Sequence, residues 1–140
     1  MSRKRYNNKT YTGRFIAMPY SMFESVNYKT LSSRERDVLM LFKHRFNGIN
    51  NGEIHLTSRE IAKWYECSKS TAHKAIVNLY ERGFIKPHKF GHFADRVATT
   101  WILTFERYGN NPPTNEWKSF DEKQNKVPSI EPYRTLVRMI

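Results

Sequence analysis

The sequence lacks several features that would place it in common classes of protein. Its 140 residues include one cysteine, Cys67, so an intramolecular disulfide framework is excluded and a reducing cytoplasm is expected. Its longest apolar run, Val38 to Phe42, is far too short to cross a bilayer. The basic N-terminus has no apolar stretch like that of a secretory signal. We therefore expect a cytoplasmic protein that does not associate with a membrane.

Motifs of metal and nucleotide chemistry are also missing. The five histidines are scattered, and the sequence contains no HExxH or CxxC pair. It has no GxxxxGK[ST] or GxGxxG segment to bind the phosphates of a nucleotide. We therefore expect no enzyme, no cofactor, no metal and no small-molecule ligand. Cys67 is interpreted as a residue that packs in a turn, with a redox sensor as the alternative.

Acidic residues are scarce, and the excess of basic residues is unevenly distributed. The chain has 24 Lys and Arg against 13 Asp and Glu, a net charge of +11. Residues 1–30 carry six basic and one acidic side chain, and residues 67–105 carry six and two. Residues 31–66 and 106–140 each carry six and five. Such concentration favours a polyanionic partner, because each neutralised phosphate releases counterions. A charge that serves only solubility is the alternative.

The chain is long enough for one domain with a hydrophobic core. Residues 1–14 are predicted to form a flexible basic arm, and residues 15–105 the domain itself. Residues 106–140 are predicted to be a loosely structured tail, with a possible short helix over residues 132–140. That tail could dock on the domain or on another chain.

Hydrophobic spacing predicts two helices in the first half of the domain. The first is a short helix from Tyr20 to Tyr28, with Met22, Phe23 and Val26 at helical spacing. A second helix begins after Ser32, where Glu35 stands three residues on and can complete a capping box. This helix is predicted to end near Asn47-Gly48, and a brief strand is predicted over residues 53–56.

The sequence of the second half of the domain predicts two helices around a tight turn, followed by a hairpin. Thr57-Ser58-Arg59-Glu60 repeats the capping-box pattern and opens a helix that continues through Glu66. Ser68 caps the next helix, which runs to Arg82 and is followed by Gly83 at the C′ position. The buried stripe of that helix is predicted to be Ala72, Ala75, Ile76 and Leu79. Strands are predicted over residues 84–90 and 98–105.

This order of elements resembles the winged helix-turn-helix family. The likeness covers residues 31–105 and is strongest in LTSREIAKWYECSKSTAHKAIVNLYERGFIK, where Ser-Lys-x-Thr opens the recognition helix. The flanking segments FIAMPYSMFESVNYKTLSSRERDVLMLF and ATTWILTF are similar to small winged-helix proteins of bacteria, phages, plasmids and integrative elements. The resemblance implies an α+β fold, mainly α with a small antiparallel β hairpin, that binds double-stranded DNA, often as a homodimer.

Polar and basic side chains occupy the outward and N-terminal positions of the recognition helix. These candidate DNA-binding residues are Ser68, Lys69, Ser70, Thr71, His73, Lys74 and Asn78. Hydroxyl groups at a helix N-terminus suit a phosphate, and lysine reaches phosphate oxygens or a guanine edge. Ser68 also serves as the helix cap whether or not DNA binds.

Two further segments carry candidate DNA-binding residues. The hairpin supplies Lys86, His88, Lys89, His92 and Arg96, which resemble a wing that follows the DNA backbone or enters the minor groove. The N-terminal arm supplies Arg3, Lys4 and Arg5 for the same purpose. A hairpin kept soluble by its charge and a merely disordered arm are the alternatives.

The sequence leaves three roles open. The first is a sequence-specific transcriptional regulator, with the helix of residues 68–82 in the major groove and the hairpin of residues 84–105 on the backbone or minor groove. The second is a replication-initiation or excision accessory protein of a phage or plasmid, which would use the same DNA chemistry. The third is a protein-interaction module that uses the winged helix to bind another protein.

Overall fold

The computed structural model describes residues 13–90 and 98–128. These residues form a mixed α+β domain with five α-helices and a three-stranded antiparallel sheet. The helices are α1 (Tyr20–Phe23), α2 (Val26–Lys29), α3 (Ser33–Arg45), α4 (Ser58–Tyr65) and α5 (Lys69–Glu81). The strands are β1 (Ile54–His55), β2 (Ile85–Lys89) and β3 (Thr100–Leu103), and a 3₁₀ helix spans Glu116–Ser119. Within the described ranges no helix has the length and apolarity needed to cross a membrane.

The single helix predicted over Tyr20–Tyr28 is wrong, because the segment forms the two short helices α1 and α2. Ser25 separates them with an extended backbone (φ −69°, ψ 147°), and its hydroxyl accepts a hydrogen bond from the Tyr28 amide. Met22 is fully buried, but Phe23 and Val26 are exposed, so the three side chains do not share one buried face. The break therefore redirects both apolar side chains toward solvent.

Helix α3 begins as the sequence predicts. The Ser32 hydroxyl accepts from the Glu35 amide, and the Glu35 carboxylate accepts from the Ser32 amide, which completes the capping box. Val38, Leu41 and Phe42 are buried, and the Phe42 ring packs edge-on to a tryptophan of the sheet, with centroids 5.9 Å apart. This helix supplies the centre of the core.

Helices α4 and α5 pack against each other across a tight turn. Thr57 caps α4, as the sequence predicts. The Glu60 carboxylate, the second member of the predicted capping box, pairs with Arg45 of α3 at 2.9 Å. Glu66 adopts a left-handed conformation (φ 53°) just after the last residue of α4, and Ser68 caps α5 as predicted. The predicted stripe of α5 is confirmed, since all four of its side chains are buried: Ala72, Ala75, Ile76 and Leu79.

The sheet has the strand order β1-β3-β2. Ile54 of β1 pairs with Trp101, and Ile85 of β2 pairs with Leu103. The register between β2 and β3 shifts after Pro87, which lies on an edge strand, where its lack of an amide hydrogen is tolerated. Gly83 joins α5 to β2 with a φ of +80°, as the C′ position requires.

Residues 106–128 differ from the loosely structured tail expected from the sequence, because they pack on the domain. Trp117 is buried and its ring stacks on Phe84, with centroids 6.1 Å apart and planes 8° from parallel. Val127 is fully buried, and its amide donates to the Glu81 carbonyl at 2.7 Å. A Cβ at Gly83 would lie 2.8 Å from the backbone of this segment, which shows how closely it approaches α5. The predicted helix 132–140 lies outside the described residues.

A buried polar network ties α2 and this segment to the end of α5. The Asn27 amide donates to the Arg82 and Trp117 carbonyls, each at 2.9 Å. The Arg82 guanidinium donates to the Asn27 carbonyl and to the Thr30 hydroxyl. Burial lowers the pKa of Arg82 and the charge of Glu35 raises it, but an arginine stays protonated in either case. The network joins α2 and residues 106–128 to each other and to the C-terminal end of α5.

Lys43 is a buried cation whose charge opposes folding. Its ammonium group has no hydrogen-bond partner within the described residues and lies 4.6 Å from the centroid of the Phe105 ring. Burial lowers the pKa of Lys43, and the charge of Glu106 partly opposes this effect. Burial likewise raises the pKa of Glu106, and Lys43 lowers it. Desolvation outweighs the attraction for both groups.

We expect Lys43→Met to stabilise the protein near neutral pH by about 1 kcal/mol, because the methionine fills the site without a buried charge. At a pH between the depressed pKa of Lys43 in the folded protein and its pKa of roughly 10.4 in the unfolded chain, the unfolded chain binds more protons than the folded protein does. The free energy of unfolding of the wild type therefore rises with pH in that window, and the advantage of Lys43→Met shrinks. Urea unfolding of both proteins from pH 7 to pH 10 measures the effect. A stability difference that did not shrink as the pH rose would contradict it.

Candidate nucleic-acid interface

The N-terminal turn of α5 is polar and exposed. Ser68 adopts an extended backbone, and its hydroxyl accepts from the Thr71 amide at 3.0 Å. The same hydroxyl donates to the Thr71 hydroxyl at 2.8 Å. The amides of Lys69 and Ser70 have no carbonyl to bind within the helix, and the helix dipole makes this end attractive to an anion.

The structure brings most of the predicted recognition-helix residues to one exposed face. Six of them are exposed: Ser68, Lys69, Ser70, Thr71, Lys74 and Asn78. His73 is half-buried and lines a shallow depression of about 340 Å³ together with Lys74, Val77 and Asn78. The opposite stripe of α5 is buried in the core, so these side chains cannot turn inward. An exposed face with two lysines and three hydroxyls suits a phosphate backbone.

Asn78 differs from the others because its side chain is already bound. Its amide donates to the Glu35 carboxylate at 3.1 Å, which joins α5 to the N-terminus of α3. Glu35 is buried and also accepts from the Ser32 hydroxyl. The structure therefore gives Asn78 a structural role between helices, and a base contact would have to replace this bond.

Lys86 of the predicted wing is also bound within the protein. Its ammonium group lies 2.9 Å from the Glu116 carboxylate. Burial by itself raises the pKa of Glu116, but hydrogen bonds from Thr114 and Lys86 outweigh it, so the pKa lies below its usual range. The carboxylate therefore stays charged and holds Lys86 on the C-terminal segment.

Both ring nitrogens of His88 have partners. Nδ1 lies 3.0 Å from the Gly52 carbonyl oxygen, and Nε2 lies 3.0 Å from the Tyr108 hydroxyl. The carbonyl can only accept, so Nδ1 carries a hydrogen. His88 thus connects the loop before β1 to the chain after β3, although its side chain is exposed.

Among the predicted wing residues the structure describes, Lys89 remains as an exposed cation at the end of β2. Its backbone amide donates to the Thr100 hydroxyl at 3.2 Å, which fixes the position where the strand ends. The remaining predicted residues lie outside the described residues: His92 and Arg96 of the hairpin, and Arg3, Lys4 and Arg5 of the arm.

Sequence reasoning missed the outer face of α4, which packs beside α5. Arg59, Lys63 and Trp64 are exposed there, and the Trp64 ring lies 5.6 Å from that of His44. The signal in the sequence is Trp64, which lies outside the apolar stripe of an amphipathic helix. An aromatic ring at such an exposed position does not serve the core and so indicates a contact surface. This face adds two exposed basic side chains and one exposed aromatic ring on the helix that precedes α5.

The described residues contain no group of three or more His, Cys, Asp and Glu side chains that could hold a metal ion. Cys67, between α4 and α5, is half-buried and packs against the core. Comparisons of the chain with models of protein families, with curated proteins and with solved structures gave no match.

Proposed function

We propose that the protein is a winged helix-turn-helix protein that binds double-stranded DNA in a sequence-specific manner and regulates transcription. The observation that carries this proposal is the start of α5, where exposed lysines and hydroxyls surround a capped helix N-terminus. Its buried stripe holds the helix rigidly against α3 and α4. A rigid helix with such an N-terminus is the element that helix-turn-helix proteins insert into the major groove.

The arrangement of the elements supports the proposal. Helix α3, strand β1, helices α4 and α5, and strands β2 and β3 follow one another, and the strands lie in the order β1-β3-β2. The order of the elements along the chain is the one on which the family resemblance is based, whereas the order of the strands in the sheet was not predicted. The hairpin of β2 and β3 directly follows α5, so it emerges beside the recognition helix as a wing would.

The proposed contacts divide between backbone and bases. Lys69, with the amides of the first turn, binds a phosphate, and Lys74 reaches a phosphate or a guanine edge. Ser70 and His73 lie next to them on the same face and can exchange hydrogen bonds with base edges. Lys89 supplies a charge at the end of β2, because Lys86 and His88 have partners within the protein.

Binding to a random-sequence duplex as a function of salt tests this proposal. If Lys69, Lys74 and Lys89 neutralise phosphates, the logarithm of the association constant falls linearly with that of the salt concentration, with a slope of about −3 or steeper. A slope near zero, or no binding at low salt, would refute the DNA proposal. Either result would favour a protein-interaction module.

A further inference from the structure

Of the three tryptophans in the chain, Trp64 alone lies outside the core. Trp101 and Trp117 are 1% and 5% exposed, whereas Trp64 is 57% exposed on the outer face of α4. A single exposed aromatic residue is ordinary on a protein surface, so the side chains around it decide what it can bind.

The Trp64 ring is held in place by a second exposed ring. His44, in the last turn of α3, lies with its ring centroid 5.6 Å from that of Trp64 and its plane tilted by 45°. The pairing of Glu60 with Arg45, at 2.9 Å, joins the same two helices. Contact with His44 restricts the rotation of the indole, so a ligand that stacks on it does not have to order the side chain first.

Two basic side chains accompany the ring on α4. Arg59 and Lys63 are four residues apart, so they lie on the same side of the helix, and Lys63 directly precedes the tryptophan. Both are exposed, and neither forms an ion pair with another described residue. Of the nearby acidic residues, Glu60 is already paired with α3, and Glu66 follows the last residue of the helix. Two positive charges therefore remain for a ligand. We call His44, Arg59, Lys63 and Trp64 the α4 surface.

The combination of an exposed indole with two cations fits unpaired bases on a phosphate backbone. The cations attract the phosphates, and the ring stacks on a base of any identity, because every base has an aromatic face. In a duplex each base is already stacked between its neighbours, so a base must leave the stack before a side chain can cover its face. The ring therefore suits a single strand rather than a duplex.

We propose that the α4 surface binds single-stranded DNA. One base stacks on the Trp64 ring, and Arg59 and Lys63 bind the phosphates next to that base. The α4 surface shares no residue with the start of α5. This activity is therefore additional to the proposed duplex binding and does not depend on it.

The fluorescence of the protein itself tests the stacking. Because Trp101 and Trp117 are buried, quenching by an added strand reports on Trp64. An unlabelled oligothymidylate of about 15 nucleotides, which cannot pair with itself, should quench the fluorescence of the full chain at low salt until the site is saturated. A wild type that does not bind this strand, or that binds it without quenching, would overturn the proposal.

Variants measured by the anisotropy of a labelled oligothymidylate locate the contact. Trp64→Ala should weaken binding by about tenfold or more, whereas Trp64→Phe, which keeps an aromatic ring, should retain most of the affinity. Tyr20→Ala is the matched control, since it removes an aromatic side chain that is 82% exposed on α1, and it should bind like the wild type. Equal affinities of Trp64→Ala and Tyr20→Ala would overturn the proposal.

The salt dependence of the same binding tests the two cations. The double variant Arg59→Ala/Lys63→Ala should make the slope of affinity against salt less steep by about 1.4, because each phosphate of a single strand accounts for roughly 0.7. An unchanged slope would overturn the proposed phosphate contacts. No duplex is present in these measurements, so their outcome is independent of the proposed duplex binding.

Discussion

Replacing Lys69 and Lys74 together by alanine is expected to lower the affinity for duplex DNA by about 10- to 100-fold, because two charge-assisted contacts are lost. The slope of affinity against salt should become less steep by about 2, since each lysine accounts for roughly one phosphate. Both side chains are exposed and neither belongs to the buried stripe of α5. The melting temperature should therefore stay close to that of the wild type. Fluorescence anisotropy with a labelled duplex at several salt concentrations measures both effects.

The double variant Lys118→Ala/Lys123→Ala is the matched control. It removes the same charge from exposed positions of residues 106–128, which pack at the C-terminal end of α5, whereas Lys69 is the first residue of that helix. If general charge alone drives binding, both double variants lose affinity equally, and α5 is then not the contact surface. If α5 is the contact surface, the control retains most of its affinity.

Trp117→Ala is expected to destabilise the domain by about 3–5 kcal/mol, in the range of a large aromatic side chain removed from a core. The ring is 5% exposed, stacks on Phe84 and donates through Nε1 to Asn115. The loss should lower the melting temperature by more than about 10 °C. Thermal unfolding followed by circular dichroism measures it.

Trp64→Ala provides the comparison for this variant, because it removes the same side chain from a position that is 57% exposed. Its cost should stay within about 0.5 kcal/mol. Equal stability of the two variants would mean that residues 106–128 do not form part of the cooperative domain.

Local chemistry accounts for the parts of the fold that the sequence predicts well. The capping box of Ser32 and Glu35, the Ser68 cap and the buried stripe of α5 all depend on residues at most a few turns apart. Such patterns are readable because hydrogen bonding at a helix end and burial of one helix face repeat at fixed spacings. The break at Ser25 was missed because a serine with helical spacing on both sides is compatible with one continuous helix.

The parts that could not be predicted depend on contacts distant in sequence. Trp117 stands alone among polar residues, so no periodicity reveals that it packs on Phe84. From the sequence, Lys86 is expected to be a free cation of the wing. In the structure it pairs with Glu116, which lies thirty positions later in the chain. Similarly, His88 gains its partner Tyr108 only through the fold. Tertiary pairing therefore gives Lys86 and His88 partners that the sequence did not predict, whereas Lys69 and Lys74 at the start of α5 remain exposed.

An amide chemical-shift titration of the ¹⁵N-labelled protein with duplex DNA at low salt tests the central claim most directly. The amides of residues 68–74 are expected to shift most, followed by those near Lys89, while residues 20–29 should change little. The result that would contradict this account is a largest response at residues 20–29, or no response at all at a DNA concentration equal to that of the protein.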